Sequence, residues 1–574
     1  MRKWKAARNL GILAALTLAV TGCLDDSPME PGASLSAFSL LGGLETGQAL
    51  SLQGEEAERI VLPGGATGSE FVLVAFFGTE AEGSQVAVEI TGSDLLDVTG
   101  PPRGSEGPSA TGGSDDLLRL DGRRHPWDPE FHRRLREAEV RRLQPRLRDA
   151  PWRGTGSGAD PEKFRSQGVA ASSAAAAVPA VGDTIPLRVL NGASSDICAN
   201  PHERGGRVAA VTGDVVMVSD TASPAELSDA QIQQIATEFD QLLRPVEVEA
   251  FGEPTDIDQN DRVIVFFTPI VNQQGVGGFQ FSGDLFPRSE CAASNEGEIF
   301  YIISPDPTGE ANSDIQIEAD LVARLATAII GHEFQHLINA GRRIYVNNAT
   351  TLEEVWLNEG LSHIAEELLF YETTGLSPRQ NITFNRLVSS QEIARAADRF
   401  VTQNLFQYAL YAATPSAATF LGSDNSETRG AAWSFLRYAA DLEEGDDTQF
   451  WFDLVNSRTS GFDNLNAVLG SADAFDLFQA WTASVFSDDL LGDLPPFLTQ
   501  PSWNHRTILP FFANDQFPLD VRVIEGAGPV QVALTGGGAA FFRVAVDPGS
   551  QGEFRVDATG SAPEDLRVSV VRAE

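Results

Sequence analysis

Positive charge is scarce in this chain. Its 574 residues include 80 Asp and Glu but only 41 Lys and Arg, so the formal net charge at pH 7 is −39. The phosphates of nucleic acids and the headgroups of anionic lipids repel such a chain. We therefore expect no nucleic-acid partner and no adsorption to a membrane surface through charge.

The amino terminus lacks an apolar run long enough to cross a bilayer. Leu10–Val20 is apolar but too short, and it follows a basic head that begins with Arg2. This is the pattern of a signal peptide, and Val20-Thr21-Gly22-Cys23 resembles the lipobox of bacterial lipoproteins. By that resemblance Cys23 is acylated and becomes the mature amino terminus. The alternative is an ordinary cleaved signal with an incidental cysteine.

The position after the predicted lipid cysteine bears on localisation. Leu24 follows Cys23, so there is no Asp directly after the cysteine to indicate retention at the inner membrane. We expect the protein in the cell envelope, anchored in the outer membrane or at the surface, or else secreted. The membrane is then a partner only through the lipid anchor.

Cysteine is rare as well. The chain has 3 cysteines, and Cys198 and Cys291 remain once Cys23 is set aside. An isolated pair tends to oxidise beyond the inner membrane, so we expect a disulfide between these two residues. The alternative is a pair of buried free thiols.

Histidine is the third scarce residue, but two of the 7 histidines lie close together in His332-Glu333-Phe334-Gln335-His336. Apolar residues at helical spacing predict a helix from Ile317 to Ile338, which we call the zinc helix. Side chains at positions i and i+4 share one helix face, so both imidazoles can bind one zinc ion. Glu333 lies where its carboxylate can take a proton from a metal-bound water.

A third ligand must come from another segment, because a catalytic zinc site uses three protein ligands and leaves the fourth position open. Glu359 fits this role, since it lies in a second helical stretch with 22 residues between it and His336. The alternative is that the two histidines simply pack in an ordinary buried helix.

Two segments resemble the hyicolysin-type metallopeptidases, a family of the gluzincin clan that binds zinc through two His and one Glu. They are Gly331-His332-Glu333-Phe334-Gln335-His336-Leu337-Ile338-Asn339 and Glu354-Val355-Trp356-Leu357-Asn358-Glu359-Gly360-Leu361-Ser362. The resemblance implies that His332, His336 and Glu359 bind zinc and that Glu333 is the catalytic base. It covers about residues 185–510.

The same resemblance implies an α+β fold and an activity. We expect a gluzincin-type core, in which a mixed sheet with the zinc helix is followed by a helical subdomain and the site lies in the cleft between them. The implied activity is that of a zinc-dependent endopeptidase acting on polypeptides, and we expect a monomer. The alternatives are an aminopeptidase, or a surface adhesin or binding lipoprotein with an inactive peptidase core.

Two absences narrow the peptidase class. Metzincins need Gly and His where this chain has Asn339 and Arg342. Aminopeptidases of the gluzincin clan share the run Trp-Leu-Asn-Glu-Gly at a shorter spacing, and they hold the substrate amino terminus with a G-x-M-E-N run that this chain lacks. The endopeptidase is therefore favoured.

Changes in composition divide the chain into six segments. They are a lipoprotein signal peptide (1–23), a tether (24–55), an N-terminal β module (56–99), a linker with a basic helix (100–184), the metallopeptidase domain (185–510) and a C-terminal β module (511–574). The two β segments share turn and strand patterns, which favours a repeated small β-sandwich module on each side of the catalytic unit. The alternative is chance recurrence of Gly and Ser turns.

The linker contains a basic, helix-prone segment from 129 to 148. Between 119 and 165 the chain has 13 basic and 8 acidic residues, against the acidic balance of the whole. One interpretation is an inhibitory prosegment that docks on the acidic catalytic domain and is removed on activation. The other is a solvated helical spacer.

Strands are predicted before the zinc helix and helices after it. The strands are 207–212, 215–219, 263–268 and 298–304, and the helices are 352–372, 380–402, 426–444, 447–457 and 473–487. In the gluzincin arrangement an antiparallel edge strand beside the zinc helix pairs with the extended substrate backbone. Ile299–Ile303, just upstream of that helix, is the predicted edge strand.

Several further side chains are candidates for supporting roles. Besides zinc, the oxyanion of the transition state needs one protein donor. Candidates of suitable type are Tyr408, Tyr411, Arg429, Tyr438 and His505, each of which is otherwise an ordinary core aromatic or surface charge. His363 lies one helical turn after Glu359, and Glu366 or Glu367 could orient a ligating imidazole.

A loop at 256–261 predicts calcium binding. Asp256, Asp258 and Asn260 place oxygen side chains at the first, third and fifth positions of a calcium-type loop. Asp261 and Phe267 stand where an EF-hand has Gly and Glu, so a polar turn is the alternative.

Overall fold

The structure is a computed structural model, and the predicted signal peptide with Cys23 lies outside the residues it describes. The described residues are 41–80, 83–98, 129–148, 150, 152, 177–192, 194–312, 315–421, 424–443, 445–470, 473–492, 494–522, 524, 529–558 and 565–574. Most of the predicted tether and linker also lies outside them. Within the described ranges, no helix has both the length and the apolar character needed to span a membrane.

The strands and helices of the described residues are numbered here in chain order. The strands are β1 (Ala49–Gln53), β2 (Arg59–Pro63), β3 (Ser69–Phe77), β4 (Gln85–Ser93), β5 (Leu96–Asp97), β6 (Thr184–Val189), β7 (His202–Val211), β8 (Val215–Asp220), β9 (Val263–Phe267), β10 (Gly278–Gln280), β11 (Ile299–Ile302), β12 (Val521–Arg522), β13 (Val530–Thr535), β14 (Ala539–Val546), β15 (Gln551–Ala558) and β16 (Leu566–Arg572). The helices are α1 (Glu55–Glu58), α2 (Pro129–Arg142), α3 (Gln144–Arg148), α4 (Asp229–Glu238), α5 (Arg244–Phe251), α6 (Pro269–Gln274), α7 (Ala319–Gly341), α8 (Val355–Thr374), α9 (Phe384–Leu387), α10 (Gln391–Phe400), α11 (Thr402–Ala413), α12 (Ser426–Leu442), α13 (Thr448–Val455), α14 (Gly461–Leu469), α15 (Ala474–Ser487) and α16 (His505–Ile508).

The central sheet lies ahead of the zinc helix in the chain and is mixed. Its strand order is β10-β11-β9-β8-β7-β6, with β11, β9 and β8 parallel to one another and the outer pairs antiparallel. The inner strands are runs of β-branched and aromatic residues with few or no exposed side chains, as expected for strands covered on both faces.

The predicted edge strand is wrong. β11 (Ile299–Ile302) lies inside the sheet between β9 and β10, and the antiparallel edge strand is Gly278–Gln280. A three-residue strand with a glycine is too short to show the alternating pattern from which strands are predicted. The edge of the sheet beside the zinc helix is therefore formed by β10, a strand that the sequence pattern does not predict.

The zinc helix is α7, and α8 packs against it. α7 is amphipathic in its first half and buried on all sides from Ile330 to its end, where two histidines and their neighbours lie inside the molecule. α8 ends at Gly375, whose φ of 68° suits a left-handed helix stop. A Cβ atom on Gly360 would lie 2.7 Å from Leu436 Cδ1 and 3.2 Å from Ala432 Cβ of α12, so a larger residue would require the side chain of Leu436 to shift.

The helical subdomain follows α8 and encloses an aromatic core. Phe420, Phe435, Phe478 and Trp481 pack with ring centroids between 4.2 and 6.4 Å apart. These side chains belong to one contiguous hydrophobic core that also contains the central sheet and α7. The mixed sheet and the helical subdomain are consistent with the predicted α+β class.

The two predicted β modules form one sandwich. One sheet has the order β1-β16-β3-β14-β12, with β5 also paired to β14, and the other has the order β13-β4-β15-β2. Strands from before and after the peptidase segment alternate in the second sheet and, apart from the neighbours β14 and β12, in the first, so neither segment is a module by itself. The alternating sequence pattern locates each strand but cannot say which partner it pairs with, and the prediction of two flanking modules is corrected accordingly.

The sandwich also packs on the helical subdomain. Phe76 of β3 and Phe478 of α15 lie with ring centroids 5.0 Å apart. Arg567 Nη1 lies 2.6 Å from Asp476 Oδ1, at the start of α15. The sandwich is thus built into the body of the molecule.

A disulfide joins Cys198 to Cys291, which lie 93 positions apart in the sequence. Both residues are buried, and the backbone amide of Ala293 donates to the carbonyl of Cys198. The cross-link fastens the loop after β6 to the loop between β10 and β11.

The double variant Cys198→Ser with Cys291→Ser should have a free energy of unfolding lower by about 2–4 kcal/mol, because the cross-link limits the entropy of the unfolded chain. Urea denaturation followed by tryptophan fluorescence measures this change. Wild-type protein kept in a reducing agent is the control and should shift in the same direction. Unchanged midpoints in both samples would contradict the structural role.

Candidate metal centre

Helices α7 and α8 bring the three predicted ligands together. The imidazoles of His332 and His336 lie on one face of α7, with ring centroids 4.9 Å apart. Glu359 approaches from α8, with Oε2 3.4 Å from His332 Nε2 and Oε1 3.5 Å from His336 Nε2. Zinc bonds of about 2.0–2.1 Å in tetrahedral geometry place neighbouring ligand atoms about 3.3 Å apart. The spacing of these atoms therefore fits one metal ion.

The donor atoms are also buried. All three residues are nearly inaccessible to solvent. His332 Nε2 has no hydrogen-bond partner among the described residues, although burial makes an unpaired polar atom costly. Two nitrogens and one carboxylate oxygen that converge in this way are a donor set suited to zinc.

A carboxylate behind His332 orients its ring. His332 Nδ1 lies 3.1 Å from Glu366 Oε1, and His363 Nδ1 lies 2.9 Å from Glu366 Oε2. With Nδ1 engaged, Nε2 of His332 faces Glu359, which is the arrangement that metal-ligating histidines need. Glu367, the other predicted candidate, instead accepts hydrogen bonds from Tyr371 and Trp503 in the core.

The second imidazole contacts a hydroxyl. Ser362 Oγ lies 3.0 Å from His336 Nδ1 and donates to Gln335 Oε1 at 2.8 Å. The same oxygen lies 3.3 Å from His336 Nε2, the ring nitrogen that faces Glu359 Oε1. Ser362 was not predicted as a site residue, although its position three residues after Glu359 places it on the same helical face.

The predicted base is buried beside the ligands. Glu333 is 2 % exposed, and its Oε2 atom has no hydrogen-bond partner within the described part of the chain. Burial raises the pKa of Glu333 to about 7, and the charges of His332 and Arg136 oppose that rise. A carboxylate with this affinity for protons can accept and release one near neutral pH.

Arg429 of α12 contacts the ligand carboxylate. Its Nη2 lies 3.0 Å from Glu359 Oε2, and Asp424 holds the guanidinium through contacts of 2.7 and 2.9 Å. Burial alone would raise the pKa of Glu359, but Arg429 and His336 hold it well below its usual range. Glu359 is therefore kept as an anion, the form that binds a metal.

The structure places the other predicted oxyanion donors in the aromatic core. Tyr438 Oη donates to the carbonyl of Phe497 at 2.8 Å, and the rings of Tyr408 and His505 lie 4.6 Å apart. Tyr411 stacks on Tyr408, and burial raises the pKa of Tyr408 to about 12. Of the predicted oxyanion donors, Arg429 has a described contact with a predicted metal ligand, Glu359.

The predicted calcium loop has an additional carboxylate. Asp256 and Asp258 place oxygens within 4.8 Å of an oxygen of Glu298, which the sequence pattern did not include. Asn260 turns its amide nitrogen to Asp258 Oδ2, at 2.5 Å. Burial raises the pKa of Asp258 to about 6 and that of Glu298 to about 8. Calcium binding here stays a prediction.

The basic helix α2 reaches the metal centre. Arg136 is buried, with Nε 3.4 Å from Glu359 Oε1 and Nη1 2.9 Å from Glu139 Oε2 of the same helix. Arg136 precedes Glu359 by 223 positions, so no local sequence signal could have connected the two residues. The predicted basic helix thus exists, and its position is a finding of the structure.

Comparison with known proteins agrees with the chemistry of these donors. No protein-family model matches the chain. A segment of 144 residues, 25% of this chain, is 28% identical to the neutral metalloprotease ShpI of Staphylococcus hyicus. The match covers 32% of that protein, so the chain spans about a third of its length. The similarity and the buried His and Glu group together support a relation to metallopeptidases and a bound metal ion.

The variant Glu366→Gln should bind zinc about 10–100-fold more weakly, because the orienting carboxylate of His332 is lost while the ligands remain. Competition with a chromogenic chelator measures the affinity. Glu372→Gln, at a more exposed position of the same helix, is the matched control and should bind as wild type does. Equal affinity of the two variants would show that Glu366 does not act on the metal.

Proposed function

We propose that the protein is a zinc-dependent endopeptidase of the hyicolysin type, in the gluzincin clan. The observation that carries the proposal is the convergence of two imidazole nitrogens and one carboxylate at 3.4–3.5 Å, with a second buried carboxylate one residue along α7. A non-catalytic metal site needs the three ligands but has no use for Glu333. The distant similarity to a neutral metalloprotease supports the same interpretation.

The residues of the site divide the work of peptide hydrolysis. His332, His336 and Glu359 would hold the zinc ion, which when bound would act as a Lewis acid and lower the pKa of water toward about 7. Glu333 takes a proton from the attacking water at its carboxylate and passes it to the leaving amine nitrogen. Arg429 keeps Glu359 ionised and adds positive charge near the developing oxyanion.

The way in which each class of peptidase binds its substrate favours an endopeptidase over an aminopeptidase. An aminopeptidase must bind a free substrate amino terminus, and the chain lacks the G-x-M-E-N run that does this in the gluzincin clan. The position of β10 at the edge of the central sheet suits pairing with an extended polypeptide in the cleft. We infer that the substrate is an internal peptide bond of a polypeptide.

The location of the enzyme belongs to the proposal as well. The basic head, the short apolar run and Cys23 support a lipoprotein of the cell envelope, anchored at the outer membrane or the surface. The strongly acidic composition supports a protein that acts away from nucleic acid, and we propose that it acts as a monomer.

Purified residues 24–574 should hydrolyse casein and peptides blocked at the amino terminus once the cleft is accessible, and Glu333→Gln should lower the rate by about 10²–10⁴-fold because it removes the proton acceptor. Zinc content, measured on the same samples, should stay at one ion per chain in both proteins.

Glu372→Gln makes the same substitution at an exposed position of α8, and this control variant should retain full activity. Cleavage of free but not blocked peptides would indicate an aminopeptidase. Absence of hydrolysis by zinc-loaded wild type, also after a cut in 153–176, would favour a binding lipoprotein.

A further inference from the structure

We propose that α2 and α3 form an internal inhibitor that occupies the substrate cleft, with Arg136 as the residue that anchors it at the metal centre. We call the segment 129–148 the inhibitory segment. The proposal rests on the proposed peptidase function, because it concerns the regulation of that same site. It is carried by four sets of contacts within the described residues.

The first contacts are with the edge strand. Arg136 Nη1 donates to the carbonyl of Gln280, the last residue of β10, at 3.3 Å. The backbone amide of Ser282 donates to Glu139 Oε1 at 2.6 Å. Backbone groups at a sheet edge are the groups with which an extended polypeptide would pair. The inhibitory segment therefore uses hydrogen-bonding groups that a substrate backbone would need.

The second contacts are with the ligands. Arg136 Nε faces Glu359 Oε1 at 3.4 Å, on the side of the carboxylate that also faces His336. A space of about 20 Å³ lies beside the inhibitory segment, and its lining includes Arg136, Gln280 and His336. That volume holds about one water molecule and leaves no room for a peptide.

The third contacts are apolar. Phe131, Leu135 and Ala138 lie on one face of α2 and are buried, and Phe131 packs on Phe279 of the edge strand with ring centroids 5.2 Å apart. Leu143 and Leu147 continue this buried face along α3. The face repeats at helical spacing, so the segment docks as an amphipathic surface.

The fourth contacts are ion pairs beyond the centre. Arg142 Nε lies 2.9 Å from Asp196 Oδ1, and Arg146 Nε lies 3.2 Å from Glu290 Oε2. Asp196 and Glu290 are close in sequence to the two disulfide cysteines, so the cross-link holds part of the docking surface. The basic excess of the inhibitory segment thus meets acidic residues of the peptidase domain.

These contacts decide between the two interpretations of the basic helix. A solvated spacer would leave its charged side chains in water, yet Arg136 is 4 % and Glu139 is 2 % exposed. Burying charged groups is costly unless they are paired, and both are paired here with each other and with the cleft. The burial and pairing of these two residues therefore favour a segment docked in the cleft over a solvated spacer.

The interleaved sandwich determines how the segment can leave the cleft. β1–β5 precede the inhibitory segment and pair with β13–β16, so the chain before it is held in the body of the molecule. A single cut after residue 152 would then free the segment to move out of the cleft while it stays attached to β5 through 99–128. Residues 153–176, rich in Gly, Ser and Ala, lie outside the described residues and offer a place for such a cut.

The test compares Arg136→Glu with Arg141→Glu in the full chain 24–574. Both make the same change of charge on α2, but Arg141 is exposed. Arg136→Glu should raise hydrolysis of a blocked peptide at least tenfold and should raise the rate at which a chelator removes zinc at least tenfold. Arg141→Glu should change neither. A tenfold change in either rate corresponds to about 1.4 kcal/mol, which is the least that we expect from the loss of a single buried ion pair.

A second variant guards against misfolding caused by the charge reversal. The recognition sequence of a site-specific protease is placed between 153 and 176 of the otherwise unchanged chain, and both rates are measured before and after the cut. The cut should raise both rates as Arg136→Glu does. Unchanged rates of zinc removal and hydrolysis in both experiments would overturn the proposal. Lower hydrolysis with unchanged zinc removal would also overturn it, since Arg136 would then assist catalysis.

Glu333→Gln in the cut protein separates this inference from the proposed function. If the inhibitory segment covers the centre, the cut speeds zinc removal from Glu333→Gln as much as from wild type. Faster zinc removal without hydrolysis by zinc-loaded wild type would support occlusion of the site and contradict the peptidase.

Discussion

The approach of the Glu359 carboxylate to two imidazoles on the neighbouring helix is the interaction on which the rest of the structure depends. His332 and His336 are fixed by helical spacing, but Glu359 reaches them only because α8 packs closely on α7 and α12. Gly360 favours that packing, since a side chain there would displace Leu436. The position of the Glu359 carboxylate therefore depends on the packing of these helices, on the glycine contact between them and on the partners of each imidazole.

The cost of burying charge explains why so many partners surround this carboxylate. An ion withdrawn from water needs opposite charge and hydrogen bonds close to it. Oε1 of Glu359 faces Arg136 and His336, and Oε2 faces Arg429 and His332. One arginine comes from the subdomain after the site and the other from a helix that precedes the central sheet. Metal binding and docking of α2 thus converge on the same group, which links occupancy of the centre to access to the cleft.

Sequence reasoning located what depends on local spacing and missed what depends on distant pairing. The two helices of the site and several strands of the β segments follow from periodicity and short motifs, and Glu366 was one of two candidates for the carboxylate that orients an imidazole. α11 (Thr402–Ala413) was missed, because the predicted helices before and after it cover 380–402 and 426–444 and leave these residues out. The pairing of β3 with β14 and β16, the short edge strand β10 and the contact of Arg136 with Glu359 carry no local signal. They depend on which surfaces meet once the chain has folded.

X-ray absorption at the zinc edge of the full chain, residues 24–574, tests the central claim most directly. The account predicts one zinc per chain with two imidazole nitrogens and carboxylate or water oxygens at about 2.0–2.1 Å, because His332, His336 and Glu359 supply the protein ligands. A shell without imidazole scattering, a shell containing sulfur, or zinc far below one ion per chain would contradict it.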